Sequence, residues 1–134
     1  MRVTICLAAA VALCAAATQA DAAKKAAAKP AAFDIKNTSW SFYDKDAKAK
    51  ARETIDADGN YIENAVSGKH IDHGTAVMKG KKVCFTSAMT KEGERCYTTP
   101  AHDLKIGHSF VTRSDKGQKL KVTRIAYVKL EMPK

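Results

Sequence analysis

Residues 82–99 read KVCFTSAMTKEGERCYTT, and they decide the fold. The segments 83–86 and 95–98 share one alternating pattern and are joined by a polar loop, which is typical of a β-hairpin. With Thr90 near the midpoint, Cys84 faces Cys96 across two antiparallel strands, at a distance that a disulfide can bridge. The opposite side of the ribbon then carries Val83, Phe85, Arg95 and Tyr97.

The Cys84–Cys96 pair has a structural and a functional interpretation. As a disulfide in an oxidising compartment, it restricts the unfolded chain and stabilises the fold by about 3 kcal/mol. A redox or metal-binding pair would need a Cys-x-x-Cys spacing or further ligands, and the sequence around the hairpin supplies neither. We therefore predict a structural disulfide between Cys84 and Cys96, with no bound metal and no cofactor.

Outward from the hairpin, short aromatic and β-branched runs alternate with glycine-containing turns about a dozen residues apart. This spacing predicts an all-β antiparallel meander of about eight strands. Such a meander forms either a small barrel or a sandwich of two sheets, and both limit exposed edges. The predicted strands are residues 39–44, 49–56, 60–67, 70–78, 82–87, 95–99, 107–114 and 119–132, with a slip near Arg124 and Ile125 that suggests a bulge.

The N-terminal residues 1–22 have the pattern of a secretory signal peptide. Arg2 supplies the positive charge, residues 3–17 form an apolar run, and Ala20-Asp21-Ala22 fits a small-x-small cleavage site. The apolar run is too short to cross a bilayer, so we expect no transmembrane segment. The protein is therefore expected in the periplasm or secreted.

Two further features complete the domain organisation. Cys14 follows the bulky Leu13, which fits a lipoprotein cleavage site poorly, so lipidation is not expected. Residues 23–32 are rich in alanine and lysine, which predicts a flexible linker. The β domain is predicted over residues 33–134.

The chain carries a formal net charge of +9, and the charges of Arg2 and Asp21 in the signal segment cancel. An exported basic protein meets little nucleic acid, so anionic envelope polymers or another exported protein are the expected partners. Alternation on the predicted strands gathers Lys48, Lys50 and Arg52 into one stripe and Lys119 and Lys121 into another. These five side chains either contact an anion or form an ordinary solvated face.

Other motifs carry weaker signals. His70 and His73 have metal-ligand chemistry, but residues three apart on a regular strand point to opposite faces, so they share a metal only if the strand is bulged. Residues 56–60 resemble the start of a calcium loop. However, Tyr61 occupies the position at which such a loop requires glycine, and this favours a hairpin turn.

No nucleophile motif is present. A glycosidase-type pair would have to come from the carboxyl groups of Asp34, Asp44, Asp46, Glu53, Asp56, Glu63 and Asp103.

Aromatic side chains on the predicted strands are expected to fill the core rather than to line a ligand site. Trp40 and Phe42 share one face of the first strand. Tyr61, Phe85, Tyr97 and Phe110 join them in the predicted core.

Residues 33–127 resemble the small secreted bacterial lipocalin-like β-barrel domains. The motifs are Thr38-Ser39-Trp40 on the first strand, Asp58-Gly59-Asn60-Tyr61 in a turn, Gly74-Thr75 opening a hairpin, Val83-Cys84-Phe85-Thr86, and Cys96-Tyr97-Thr98. Some exported barrels of this size inhibit lysozymes or metalloproteases, but no residue here matches their reactive segments.

The sequence favours a non-enzymatic exported module that binds an anionic ligand or inhibits a partner protein. An alternative is an envelope-associated structural protein that the basic arm of residues 24–29 holds against anionic surface polymers. A small hydrolase is the third hypothesis, and it requires a deep polar cleft with a perturbed carboxyl or histidine. We expect no catalytic residue.

Overall fold

The computed structural model describes residues 31–132. The eight predicted strands are present, so the all-β meander is confirmed. Their bounds are β1 (Thr38–Asp44), β2 (Ala49–Ile55), β3 (Asn60–Ala65), β4 (His70–Lys79), β5 (Lys82–Ser87), β6 (Glu94–Thr98), β7 (Ser109–Arg113) and β8 (Lys119–Ile125). The predicted signal peptide and nearly all of the predicted linker lie outside the described residues.

The strands form one antiparallel sheet in the order β6-β5-β4-β3-β2-β1-β8-β7, which curls into a nearly closed barrel. At the seam between β6 and β7, an isolated bridge joins Tyr97 to Ser114. Thr98 adds two bonds there: its carbonyl accepts from Thr112 Oγ1 at 2.7 Å, and its Oγ1 accepts from the amide of Arg113 at 3.1 Å. The choice between barrel and sandwich is thus settled in favour of the barrel.

Alternation along the strands sorts side chains into an inner and an outer set. On β1, Trp40 and Phe42 point inward, as the sequence pattern predicts, while Tyr43 is 55% exposed. The N-terminal segment crosses one end of the barrel, where Ile35 is buried and the Phe33 ring lies 6.0 Å from that of Trp40. This end, opposite the β1–β2 and β5–β6 loops, is the closed end.

The last strand ends earlier than predicted. β8 stops at Ile125, and the alternation that continues to residue 132 belongs to a non-strand segment along the outside of β1 and β2. Its anchor is Val128, whose carbonyl accepts from Thr54 Oγ1 at 2.6 Å and whose amide donates to Ser39 Oγ at 3.0 Å. The slip at Arg124 and Ile125 therefore marks the end of a strand and not a bulge.

A bulge does occur in β4. Glu63 pairs with Asp72 and Asn64 with His70, so Ile71 is the extra residue. Gly74 and Thr75, predicted to open a hairpin, instead lie inside β4. A Cβ on Gly74 would stand 2.0 Å from the carbonyl oxygen of Thr86, which explains the glycine. No helix capable of spanning a membrane occurs within residues 31–132.

Candidate functional site

The barrel encloses a cavity of about 420 Å³. Exposed residues of the β1–β2 loop, Lys45 and Asp46, and of the β5–β6 loop, Met89 and Glu92, border it, so it reaches the surface between these two loops. Its wall includes Trp40, Phe42, Phe85, Tyr97 and Phe110. The prediction that these aromatic residues fill the core rather than line a site was thus only partly right, because they pack on the core and also border an open space.

A row of charged and aromatic residues crosses the inner wall from strand to strand. Trp40 on β1 pairs with Glu53 on β2, and Glu53 pairs with Glu63 on β3. Glu63 in turn pairs with Asp72 on β4. Directly opposed residues on neighbouring strands have Cβ atoms only about 5 Å apart. Three carboxyl groups, here called the acid row (Glu53, Glu63 and Asp72), therefore lie side by side within the barrel.

Burial and mutual repulsion set the protonation of two of these acids. Glu53 is 9% exposed and Glu63 is 8% exposed. Burial raises the pKa of Glu53 to about 8, and the charge of Asp72 adds to this. Burial likewise raises the pKa of Glu63 to about 9, with further increases from the neighbouring Glu53 and Asp44. Near neutral pH both side chains are mostly carboxylic acids.

Both carboxyl oxygens of Asp72, by contrast, accept hydrogen bonds from the protein. Its Oδ2 accepts from the Tyr61 hydroxyl at 2.7 Å, and its Oδ1 accepts from Ser87 Oγ at 2.6 Å and from the His73 amide at 2.8 Å. Burial and the bond to Asp72 raise the pKa of Tyr61, which stays a phenol donor. Glu63 Oε1 differs: it is buried and has no hydrogen-bond partner among residues 31–132. The acid row thus holds one carboxyl group whose two oxygens accept hydrogen bonds and one buried carboxyl oxygen without a partner.

Arg95 on β6 is the one arginine among residues 31–132 that lines the cavity. It donates to Glu92 Oε2 at 2.8 Å. A hydrogen bond with Tyr97 raises the pKa of Arg95 further. Within the described part of the chain, six acids and two bases line the cavity: Asp44, Asp46, Glu53, Glu63, Asp72 and Glu92 against Lys45 and Arg95. In a chain of net charge +9, the cavity is acidic.

The predicted cationic side chains lie on the outside of the same sheet. Lys50 and Arg52 project from β2, Lys119 and Lys121 from β8, and Lys48 precedes β2 in the loop. All five are exposed and form no ion pair within residues 31–132. Only β1 separates β2 from β8, so the two stripes form one basic outer face (Lys48, Lys50, Arg52, Lys119 and Lys121).

The bulge in β4 brings His70 and His73 to one face, contrary to the expectation for a regular strand. His70 Nε2 lies 3.1 Å from His73 Nδ1, and His70 Nδ1 lies 2.8 Å from Asn64 Oδ1. Two imidazoles are fewer ligands than a stable metal site requires. Cys84 and Cys96 lie near Glu94, but their sulfurs are joined to each other and offer no thiolate. The absence of a metal stays a prediction.

The disulfide lies where the hairpin pattern predicts it. Cys84 and Cys96 are direct partners in the β5–β6 ladder, with their sulfurs bonded at 2.06 Å. Phe85, Arg95 and Tyr97 occupy the other side of the ribbon and line the cavity. The bridge therefore fastens the strand that carries Arg95 to its neighbour, next to the seam of the barrel.

The sequence placed Glu53 and Glu63 only within a set of seven candidate carboxyl groups, and Asp72 was not in that set. The signal that could have found Glu53 was its position in the alternating pattern of the strand. Glu53 lies between Ala51 and Ile55 on the apolar positions of its strand, where an acidic residue is out of place. Burying an acidic side chain costs free energy of folding, so an acid at an inward position indicates a functional site.

The chain matches no protein-family model, no curated protein and no solved structure.

Proposed function

We propose that this protein is an exported, lipocalin-like, non-enzymatic binding protein that holds a small, partly apolar ligand inside its barrel. The cavity carries this proposal. Its volume of about 420 Å³ lies in the range of roughly 300–1,000 Å³ that is usual for small-molecule sites. Aromatic walls with a few convergent polar groups are also typical of such sites. The Cys84–Cys96 bridge supports export, because disulfides persist mainly in oxidising compartments.

Binding of N-phenyl-1-naphthylamine tests this function. Its fluorescence rises in apolar surroundings, and Trp40, the single tryptophan of the chain, borders the cavity and reports on the same event. Val122→Phe adds bulk to the inner wall, whereas Val111→Phe makes the same change on an outer position that is 63% exposed. We expect at least tenfold weaker binding for V122F and unchanged binding for V111F. Equal binding by both folded variants would place the dye elsewhere and refute the proposal.

A second candidate function is attachment to an anionic envelope polymer or to an acidic exported protein. The basic outer face favours it, since its five cations have no acidic partner within residues 31–132. Retention on a dextran sulfate column would then fall when Lys50, Arg52, Lys119 and Lys121 are changed together to glutamine. The predicted basic arm, residues 24–29, lies outside the described residues, and its deletion is a separate test of the envelope-associated alternative.

Hydrolysis is a weaker possibility with one observation in its favour. Glu63 is a buried, mostly protonated acid next to the carboxylate of Asp72, which is the arrangement that an acid and base pair would need. However, both oxygens of Asp72 already accept hydrogen bonds from the protein. Hydrolysis of a panel of nitrophenyl glycosides that is lost in Glu63→Gln would establish an enzyme; absence of turnover leaves a binding protein.

A further inference from the structure

We infer that the barrel selects an organic cation: a ligand whose ammonium group is bound by the carboxyl groups of Glu53 and Glu63 and whose apolar body packs on the aromatic wall. This inference rests on the proposed binding function and specifies the chemistry of the ligand. It differs from the expectation of an anionic ligand, which now applies only to the basic outer face.

The first support is the unpartnered oxygen of Glu63. Glu63 Oε1 is buried and has no hydrogen-bond partner within residues 31–132, although a hydrogen bond with Asp44 also contributes to the raised pKa of this carboxyl group, whose side chain borders the cavity. A buried polar atom without a partner costs roughly 1–3 kcal/mol, and once the carboxyl group has given up its proton this oxygen accepts from an N–H group of the ligand. Glu53 lies beside it in the ladder and offers a second carboxyl to the same group.

The second support is the acidic charge at the mouth and along the wall of the cavity. The loop residues Asp46 and Glu92 and the strand end Asp44 border the cavity. Even with Glu53 and Glu63 mostly protonated, four acids and two bases remain among the described lining residues. Such a one-sided field raises the local concentration of cations and repels anions. Among the charged groups, Arg95 is occupied by Glu92 at 2.8 Å, so it does not neutralise the acid row.

The third support separates an organic cation from a metal ion. A metal ion needs several ligand atoms gathered around one point. No three of the acidic residues in residues 31–132 bring carboxyl oxygens within 4.8 Å of one another. An ammonium group on an apolar stem uses a more widely spaced set, and the stem has Phe42, Phe85 and Phe110 to pack on.

Binding is expected to release protons. With both glutamates mostly protonated near neutral pH, an arriving ammonium group displaces at least part of a proton from the pair. The affinity for a primary amine should therefore rise from pH 6 to pH 9 and fall again where the amine itself loses its proton. The other ionisable groups facing the pair are Asp44, Lys45 and Asp46 near β1, Tyr61 on β3, Asp72 on β4, and Glu92, Arg95 and Tyr97 near β6.

Three probes with one chain length and different head groups provide the test: n-octylamine, 1-octanol and octanoate. Each is titrated while Trp40 emission and binding heat are followed, and the heat is measured in two buffers of different ionisation enthalpy to count released protons. We expect octylamine to bind at least tenfold more tightly than octanol, octanoate to bind weakest, and protons to be released only with the amine.

The matched variants are Glu53→Gln/Glu63→Gln, which keeps the shape of the acid row, and Asp58→Asn/Asp115→Asn, which changes two exposed turn residues by the same charge. The first should remove the preference for the amine and retain octanol binding, and the second should change neither. Proton release on octylamine binding is measured with the unaltered protein, so it tests the cation inference even if a variant does not fold.

The possible failures are distinguishable. If octanol binds as tightly as octylamine, or octanoate more tightly, and Trp40 responds, the cation inference is wrong and the binding function stands. If none of the three probes nor the naphthylamine dye perturbs Trp40, the binding function is wrong and the cation inference falls with it.

Discussion

Arg52 and Glu53 are neighbours on β2 and lie on opposite sides of the barrel wall. Arg52 is exposed on the basic outer face, where water solvates its charge, while Glu53 is 9% exposed within the acid row. Strand alternation alone produces this contrast, because successive side chains point to opposite faces. The same unit of charge therefore has little effect on folding on one side and a large effect on the other. Four changes test that comparison, from the largest expected effect to the smallest.

The largest change in stability is expected for the disulfide. Cys84 and Cys96 bridge the back of the β5–β6 hairpin, whose front carries the cavity residues Phe85, Arg95 and Tyr97. Changing both cysteines to alanine should lower the free energy of unfolding by about 3 kcal/mol, because the unfolded chain regains entropy. Urea unfolding measures this. An unchanged midpoint in the double variant would show that the seam of the barrel, and not the bridge, holds β6 in place.

Neutralising an inner acid should stabilise the protein. The folded pKa of Glu63, about 9, lies above its ordinary value of 4.5, so the folded state binds more protons than the unfolded state between these pH values. The free energy of unfolding therefore falls as the pH rises through this window. Glu63→Gln removes that loss, so its free energy of unfolding should exceed that of the original protein by a few kcal/mol at pH 8 and by almost nothing at pH 4.

The outer neighbour is the control for this prediction. Arg52→Gln should leave both the stability and its pH dependence within about 0.5 kcal/mol of the original protein, as is usual for exposed positions. Thermal unfolding at pH 4, 6 and 8 separates the two variants. A Glu63→Gln variant that is less stable than the original at pH 8 would mean that the acid row contributes a favourable interaction when it is empty.

The closed end of the barrel has a cation on the inner side. The guanidinium of Arg124 lies 5.2 Å from the centre of the Trp40 ring and also forms an ion pair with Asp103 at 3.1 Å. Arg124→Met should lower the free energy of unfolding by about 1 kcal/mol, mainly through the lost cation–π contact. Asp103→Asn removes only the ion pair, whose acid is 49% exposed, and should cost less than about 0.5 kcal/mol. Equal losses in both variants would assign the effect to the ion pair.

The smallest effect on stability is expected on the basic outer face. Changing Lys50 and Lys121 to glutamine should alter the free energy of unfolding by less than about 0.5 kcal/mol, since both side chains are exposed and unpaired within residues 31–132. Guanidinium chloride unfolding checks it. A larger loss would indicate that these lysines pack on the wall and are not simply solvated.

Local sequence predicted the strands and their faces well. Seven of the eight strands were placed within two residues at each end, and the pairing of Cys84 with Cys96 followed from the symmetry of the hairpin around Thr90. These features depend on residues that are close in sequence, namely the alternation of apolar and polar residues and the glycine-containing turns. The predictions failed where distant contacts decide. Residues 126–132 alternate like a strand but follow the outside of β1 and β2, because Ser39 and Thr54 supply their hydrogen-bond partners.

The sequence by itself determined an antiparallel β meander, its hairpin disulfide and a basic outer face, since each follows from a period of two and from local turns. Only the tertiary structure decided that the meander closes into a barrel with a cavity. It also decided that Glu53 and Glu63, two of the seven candidate carboxyl groups, meet each other and Asp72. Glu53 and Glu63 lie ten residues apart, and Asp72 lies nine beyond, so their meeting depends on the registers of β2, β3 and β4. A one-residue shift in either of these two ladders would separate them, and no local pattern fixes both registers at once.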